Sequence, residues 1–397
     1  MGININQPKR ELAILVGIAT PKIRPRVATE HLEELQRLAK TAGAEVVETF
    51  LQRVQSFNAA TLVGEGKVGE IKTALETHEA GLVIFDEDLS GSQVRNLEAR
   101  LPGIKVLDRT GIILDIFAKQ AVTAESRLMV EVAQLQYMVP RLTHAWTHLS
   151  RQAGGHGIGM CGPGESQLET DRRIIHNRIQ DLRKKLKKIE GARERQADRR
   201  EDIFQVAIVG YTNAGKSTLT NRLTGANVYV EDKLFATLDS TMRKLYVGNG
   251  EFILLSDTVG FIRKLPHHLV DTFKSTLGVA SHAQCILEVV DSTTPDYKEH
   301  LEVTHKVLDG LIDKETPRLL VFNKAESADE ARRAELLENY PSAFQVSAKE
   351  NIGMEVLKEK LIRQMQIWNA ERIKKKEEQR QEPDGWVCGI SDSNANV

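Results

Sequence analysis

The densest chemistry in this 397-residue chain lies in Gly210-Tyr211-Thr212-Asn213-Ala214-Gly215-Lys216-Ser217. Two glycines, a lysine and a hydroxyl at this spacing suit a loop whose backbone N–H groups converge on phosphate oxygens. Lys216 then supplies a point charge to the β- and γ-phosphates, and Ser217 offers a hydroxyl to Mg2+. The same spacing arises by chance in ordinary loops, so the context decides. Here the apolar run 203–209 precedes the loop and a helix-forming stretch follows it, as a phosphate-binding loop requires.

Further motifs follow in order. Asp257-Thr258-Val259-Gly260 ends the apolar run 252–256; its aspartate can hold Mg2+ through water, and the Gly260 N–H can meet a γ-phosphate. Thr237, in Phe235-Ala236-Thr237-Leu238-Asp239, lies between these two motifs. Alone it would be an ordinary surface residue, but in this series it is expected beside Ser217 as a second metal ligand. Asn323-Lys324-Ala325-Glu326 and Ser347-Ala348-Lys349 each follow a further apolar strand. Asn323 suits a purine edge, and Lys324 can pack on the ring.

With these motifs in order, residues 203–365 resemble a translation-factor-class GTPase domain. The chain from about residue 11 to 365 resembles the HflX family of ribosome-associated GTPases. That resemblance rests on Leu62-Val-Gly-Glu-Gly-Lys67, Asp86-Glu-Asp-Leu-Ser90, Leu107-Asp-Arg-Thr-Gly-Ile-Ile-Leu-Asp-Ile-Phe117 and Gly162-Pro-Gly-Glu-Ser-Gln-Leu-Glu-Thr-Asp-Arg-Arg173. It implies GTP as substrate with Mg2+, the large ribosomal subunit and its rRNA as partners, and the splitting of stalled or idle ribosomes. Two residues depart from the usual GTPase pattern. Glu326 stands where aspartate normally accepts from guanine N1 and N2; a carboxylate of either length disfavours adenine, but the longer arm can cost affinity. Phe261 stands where many GTPases place a water-orienting glutamine. The HflX-like GTPases share such a hydrophobic residue, which implies slow intrinsic hydrolysis and a water-positioning group supplied by a partner.

The elements that must hold these residues are those of an α/β protein. Strands are expected over 13–18, 45–50, 81–85 and 104–107, with helices over 29–42, 68–78 and 92–101 between them. This alternation predicts a small N-terminal α/β domain with a largely parallel sheet over 1–120. Leu128, Val132, Leu135, Val139 and Leu142, and then Ile175, Ile179, Leu182, Leu186 and Ile189, recur at heptad steps. They predict a long antiparallel α-hairpin over 121–200, its first arm interrupted at Pro140 and its tip a glycine-rich loop. A P-loop GTPase domain over 201–368, with strands over 285–290, 318–322 and 344–347, and a charged, disordered tail over 369–397 complete the expected order.

The hairpin tip has a distinctive composition. Between Glu131 and Glu165 there is no acidic residue, so nothing there repels phosphate. Candidate rRNA contacts are Arg141, Arg151, Gly154, Gly155, His156, Gly157 and Gly159. Glycines let a backbone approach RNA closely, and Arg172, Arg173, Arg178, Arg183, Lys184, Lys185, Lys187 and Lys188 add a basic run on the second arm. A solvated helix face with a flexible hinge is the plainer alternative on composition alone.

Bulk properties narrow the remaining classes. Lys and Arg total 54 against 55 Asp and Glu, so the net charge of −1 names no partner, and only the local clusters do. Three scattered cysteines, Cys161, Cys285 and Cys388, form neither a disulfide framework nor a zinc site. The longest apolar runs fall short of a membrane span, and a cytoplasmic monomer without stable membrane insertion is expected. Three competing readings remain. Gly64-Glu65-Gly66-Lys67-Val68-Gly69 with Asp86 matches a dinucleotide fingerprint, although no clean strand leads into it. An NTPase with relaxed base specificity would use the same P-loop, and a GTPase regulator could act without the ribosome. Deleting residues 154–164 is expected to leave GTP binding intact and abolish ribosome splitting; unchanged splitting would defeat the role assigned to the tip.

Overall fold

The computed structural model describes residues 11–21, 23–142, 163–198, 200, 202–226, 233–264, 278–313 and 315–381. The N-terminal region alternates β1 (Glu11–Ala19), α1 (Pro25–Ala42), β2 (Ala44–Arg53), α2 (Glu65–Thr77), β3 (Leu82–Phe85), α3 (Gly91–Arg100), β4 (Lys105–Asp108) and α4 (Arg109–Gln120). Its strands form an all-parallel four-stranded sheet in the order β2-β1-β3-β4. A parallel sheet needs helices on both faces, and β1 shows why its sequence is a continuous apolar run. Ala13 and Leu15 pack towards Leu32, Leu35 and Leu38 of α1 and Ile113 and Phe117 of α4. Ile14, Val16 and Ile18 pack on the other face, against Val68, Ile71 and Leu75 of α2 and Leu97 of α3.

All the strands and helices expected here are present, with ends displaced by a few residues. Pro25 at the start of α1 pre-sets the helical φ and begins that helix earlier than its apolar spacing suggests. Helix α4 was not foreseen. Residues 109–117 are buried almost all round, so α4 lacks the alternation of polar and apolar faces that marks a surface helix.

The arm consists of α5 (Ala124–Met138) and α6 (Pro163–Asp198). Val132 is buried between them with Ile179, Leu182 and Leu186, and Leu128, Leu135 and Ile175 pack alongside, so the two heptad seams meet. Arg178 Nη2 reaches Glu131 Oε1 across the pair at 2.7 Å. The first arm stops at Met138, two residues before Pro140. Residues 143–162, which carry most of the proposed RNA-contacting tip, lie outside the described residues.

The C-terminal region comprises β5 (Gln205–Gly210), α7 (Lys216–Thr224), β6 (Thr241–Gly248), β7 (Glu251–Asp257), β8 (Cys285–Asp291), α8 (Tyr297–Leu308), β9 (Arg318–Asn323), α9 (Glu330–Asn339), β10 (Phe344–Gln345) and α10 (Met354–Gln381). They build a six-stranded sheet in the order β10-β9-β8-β5-β7-β6, parallel except for β6, which runs antiparallel to β7. The sequence reading missed β6, an edge strand with only Leu245 buried. Its signal was the turn: Asn249 and Gly250 both have positive φ, the hairpin pair that joins two antiparallel strands. A second difference concerns the tail. Residues 369–381 continue α10 as helix, because Trp368 packs on Phe204 and Arg372 stacks on Trp368 while pairing with Asp202 at 3.0 Å. The charged composition there marks a solvated helix face, and residues 382–397 lie outside the described residues.

The N-terminal and C-terminal regions share a core. Tyr211, Leu234, Phe235, Leu238, Val259 and Ile262 join the apolar cluster built on α1, α4, α5 and α6. A charged layer lies beside it. Arg109, 1% exposed, contacts Glu34 and donates to Asp86 Oδ1 at 2.6 Å. Lys264 Nζ reaches Asp86 Oδ2 at 2.5 Å and Glu87 Oε1 at 2.7 Å, while Arg263 reaches Glu34 and Glu299. Replacing Arg109 takes a shared cation from two buried carboxylates, leaving Asp86 to Lys264 and Glu34 to Arg263 and Tyr211. Arg109→Ala is therefore expected to lower unfolding free energy by roughly 3–5 kcal/mol in urea titrations; a loss below ~1 kcal/mol would show that the layer is dispensable.

Candidate nucleotide site

Strand β5 delivers the P-loop and α7 leaves it. Gly210 has φ 147°, and a Cβ there would sit 2.1 Å from the Val289 carbonyl oxygen. Gly215 has φ 88°, and a Cβ there would lie 2.3 Å from the Asn323 amide nitrogen. Both positions therefore exclude side chains, and the loop turns tightly enough for its N–H groups and the α7 N-terminus to face one point. Lys216 is buried; its ammonium donates to the Gly210 and Tyr211 carbonyls at 3.2 and 2.9 Å, and burial pulls its pKa down to about 8. A desolvated ammonium of this kind gains strongly from an anionic partner.

Around Ser217 the oxygens expected for a metal come together. Ser217 Oγ lies 2.8 Å from Thr237 Oγ1 and donates to Asp257 Oδ2 at 2.6 Å. Asp257 Oδ1 is buried and has no hydrogen-bond partner among the described residues, and burial raises that carboxyl. An all-oxygen set with an unsatisfied carboxylate oxygen fits a hard divalent cation such as Mg2+. Gly260 is held beneath the phosphate position, where a Cβ would lie 2.6 Å from Thr212 Cα and 2.9 Å from Lys216 Nζ. Phe261 exchanges backbone bonds with the P-loop: its N–H donates to the Gly210 carbonyl and its carbonyl accepts from Thr212 N–H. Its ring is 2% exposed and packs with Val209, Ala280, Ile286 and Leu308, inside the domain core. Phe261 thus holds the loop that carries Gly260 rather than presenting a group to the cavity.

The base end is equally ordered. Asn323 Nδ2 donates to the Ala214 carbonyl at 3.0 Å, and Asn323 Oδ1 accepts from Ala348 N–H at 3.1 Å. One side chain therefore ties the P-loop to the Ser347-Ala348-Lys349 loop. Lys324, at φ 62°, is held by Asp291 Oδ2 at 2.8 Å. Arg222 of α7 donates to the carbonyls of Ala348 and Lys349 at 2.9 and 2.8 Å. Neither Asp291 nor Arg222 belongs to a motif, and only the fold brings them there.

The resulting cavity measures about 560 Å3 and runs from Thr237 and Gly260 to Lys324 and Glu326. Thr212, Asn213, Gly215, Lys216, Ser217, Phe235, Ala236, Thr258, Asn323, Ala348 and Lys349 also line it, as the motifs predict. Thr218, Lys233 and Ser327 line it without having been singled out. Gly210, Ala214, Asp257, Ala325 and Ser347, which the motifs also predict as contacts, are buried and do not line it. Four predicted nucleotide contacts are directed elsewhere. Leu238 and Val259 are buried in the shared core, and Asp239 accepts from Val122 and Thr123 at the start of α5. Tyr211 also turns away: its hydroxyl donates to Glu34 Oε2 at 2.6 Å and its ring stacks on His300 at 3.5 Å.

Of the candidate RNA contacts, Arg151, Gly154, Gly155, His156, Gly157 and Gly159 lie outside the described residues. Arg141 is engaged within the N-terminal region, donating to Asp108 Oδ2 at 2.6 Å and the Leu89 carbonyl at 2.8 Å, with its plane over Tyr137. The dinucleotide fingerprint finds no matching context. Gly64 caps α2 after an isolated bridge between Asn58 and Leu62 rather than a strand, and Asp86 is occupied by Arg109 and Lys264.

Comparison with known proteins agrees with this geometry. Residues 29–118 match the family described as GTP-binding GTPase N-terminal, 120–200 the GTP-binding GTPase Middle Region, and 205–324 the 50S ribosome-binding GTPase. The GTPase HflX of Caldanaerobacter subterraneus is 49% identical over 362 residues, covering 90% of this chain and 81% of that protein. The chain belongs to the HflX family. The HflX of Escherichia coli is 45% identical over 329 residues, covering 82% of this chain and 76% of its own. The solved SsGBP and GDP complex matches with a TM-score of 0.51 and 25% identity, over 89% of this chain and 98% of that one. As an HflX GTPase, the chain binds GTP and hydrolyses it to GDP and phosphate. Among the described residues no helix is long and apolar enough to cross a membrane.

The Arg222 clamp is testable. Arg222→Met removes both donors to the base loop and is expected to weaken GTP binding about tenfold, measured by titration with a fluorescent analogue. Unchanged affinity would assign the loop's order to Asn323 alone.

Proposed function

We propose that this HflX GTPase is a cytoplasmic, monomeric switch that binds the large ribosomal subunit through its helical arm and dissociates stalled or idle ribosomes. The observation that carries the switch is the reach of Arg263 and Lys264, directly after the Gly260-Phe261 segment, onto Glu34, Asp86 and Glu87 of the N-terminal region. Arg263 follows Gly260 by three residues, so any displacement of Gly260 by a γ-phosphate is passed along the chain to those bonds. The arm supplies the surface for RNA: Arg183, Lys184, Lys185, Lys187 and Lys188 are exposed on α6. Such a face suits the phosphates of rRNA, recognised by shape and charge rather than by a base code.

At the nucleotide, Ser217 and Thr237 would hold Mg2+ directly and Asp257 through water. The metal neutralises charge on the β- and γ-phosphates when bound. Lys216 holds the same oxygens and Gly260 N–H orients the γ-phosphate. Asn323 meets the purine edge, and the Glu326 carboxylate accepts from guanine N1 and N2. With Phe261 turned into the core, the attacking water receives no hydrogen bond from that side chain, and the ribosome provides or induces the group that orients it. The energy for splitting then comes from differential affinity of the two nucleotide states for the subunit.

GTP turnover measured alone, with small subunits, with large subunits and with whole ribosomes tests this reading. Large subunits are expected to raise the rate by roughly 100-fold or more, the scale of a supplied water-orienting or acid–base group. A rate indifferent to ribosomes favours a regulator that acts elsewhere. Excess ATP is expected not to displace labelled GTP; equal competition would mean that Glu326 no longer selects guanine.

A further inference from the structure

Thr237 is bracketed by two anchors, one on α4 of the N-terminal region and one at the start of α5 in the arm. Two residues before it, Phe235 packs edge-on against Phe117 of α4, ring centroids 4.7 Å apart, and is 2% exposed. Its backbone has φ 56°, a costly conformation for a bulky residue, and its N–H donates to Thr212 Oγ1 at 2.7 Å. Two residues after it, the Asp239 carboxylate meets the first turn of α5. Oδ2 accepts from the N–H groups of Val122 and Thr123 at 3.2 and 3.3 Å, and Oδ1 accepts from the Thr123 hydroxyl at 2.5 Å. Thr123 is itself the cap of α5, accepting from Ser126 N–H at 3.1 Å. A carboxylate at this place also gains from the partial positive charge of the helix N-terminus.

We propose that Asp239 is a positioning residue for the metal-binding hydroxyl of Thr237, and that the elbow between α4 and α5 is the surface it bears on. The proposal rests on the reading of Ser217 and Thr237 as Mg2+ ligands. Its physical basis is chain entropy. A threonine on a free loop must be ordered each time it meets the metal, at a cost in conformational entropy for every residue fixed. With Phe235 and Asp239 held, the intervening residues have little freedom left, and Thr237 Oγ1 already stands 2.8 Å from Ser217 Oγ. The same bonds carry information outward, since α5 packs along α6 through Val132, Ile179 and Leu182. When Thr237 leaves the metal after hydrolysis, the α5 cap is loosened at the base of the arm.

The test compares two ligands of the full-length protein, fluorescent GDP and a non-hydrolysable GTP analogue, each titrated at several Mg2+ concentrations. A switch threonine contacts the metal with the γ-phosphate present and releases after hydrolysis. Asp239→Ala is therefore expected to weaken the GTP analogue about tenfold and raise the half-saturating Mg2+, with GDP affinity changed less than about twofold. Asp239→Asn keeps an acceptor for the two backbone N–H groups and should recover most of the loss. Thr237→Ala serves as the reference and should show the same selectivity. Equal weakening of both nucleotides by Asp239→Ala, with the Asn variant no better, would reduce Asp239 to a general structural role and overturn the proposal. Selective weakening by Thr237→Ala with none by Asp239→Ala would overturn it while leaving the metal reading intact. Indifference of both variants would remove the metal reading and the proposal together.

Discussion

Two buried carboxylates hold the N-terminal and GTPase regions in one arrangement. Asp86 gives Oδ1 to Arg109 in its own region and Oδ2 to Lys264 in the other. Glu34 contacts Arg109 as well, and its Oε2 receives the Tyr211 hydroxyl and Arg263. Moving such charges out of water costs several kcal/mol each, which is recovered only when partners stand in good geometry. The layer therefore penalises misaligned docking more than it adds net stability. It touches the nucleotide machinery at two places, through the P-loop residue Tyr211 and the residues after Gly260. Asp86 ends β3 beside β1, where the strand order of the sheet reverses, the position at which open α/β sheets commonly leave a crevice for a ligand. In this protein Lys264 reaches that aspartate.

The phosphate loop is built by exclusion of side chains. Gly210, Gly215 and Gly260 each stand where a Cβ would overlap a neighbour, and those neighbours include the next motifs: Asn323 for Gly215, Thr212 and Lys216 for Gly260. The motifs thus fit one another as well as a nucleotide. Phe261 extends this logic. Its buried ring and backbone bonds to Gly210 and Thr212 make the Gly260 segment an extension of the P-loop. A residue packed into the core cannot also orient water, so Phe261 serves the geometry of the loop.

Much of the site was legible from residue types and order. The P-loop, the Asp257–Gly260 motif, Asn323-Lys324 and the base loop converge on one cavity because each follows a strand of a parallel sheet whose carboxyl ends share an edge, and Thr237 joins them from the segment before β6. The inner strands β1, β3, β5, β7, β8 and β9 were recognisable because burial on two faces demands largely apolar runs. The failures share a cause. Strand β6 and the last turns of α10 are solvated on much of their surface, and α4 is buried nearly all round, so none carries the periodic contrast that burial on one side writes into a sequence.

From the sequence alone come the phosphate and guanine chemistry, the two regions around it and the seam of the arm, since each follows from a local pattern with a local physical cause. Only the tertiary structure decided which polar residues serve the nucleotide and which serve the joint between regions. Asp239, Tyr211 and Arg141 look like ligand contacts along the chain, yet their partners lie 33 to 177 positions away, at Thr123, Glu34, Asp108 and Leu89. A charged side chain takes its role from whatever burial places beside it, and that neighbour is set by packing rather than by the order of the chain.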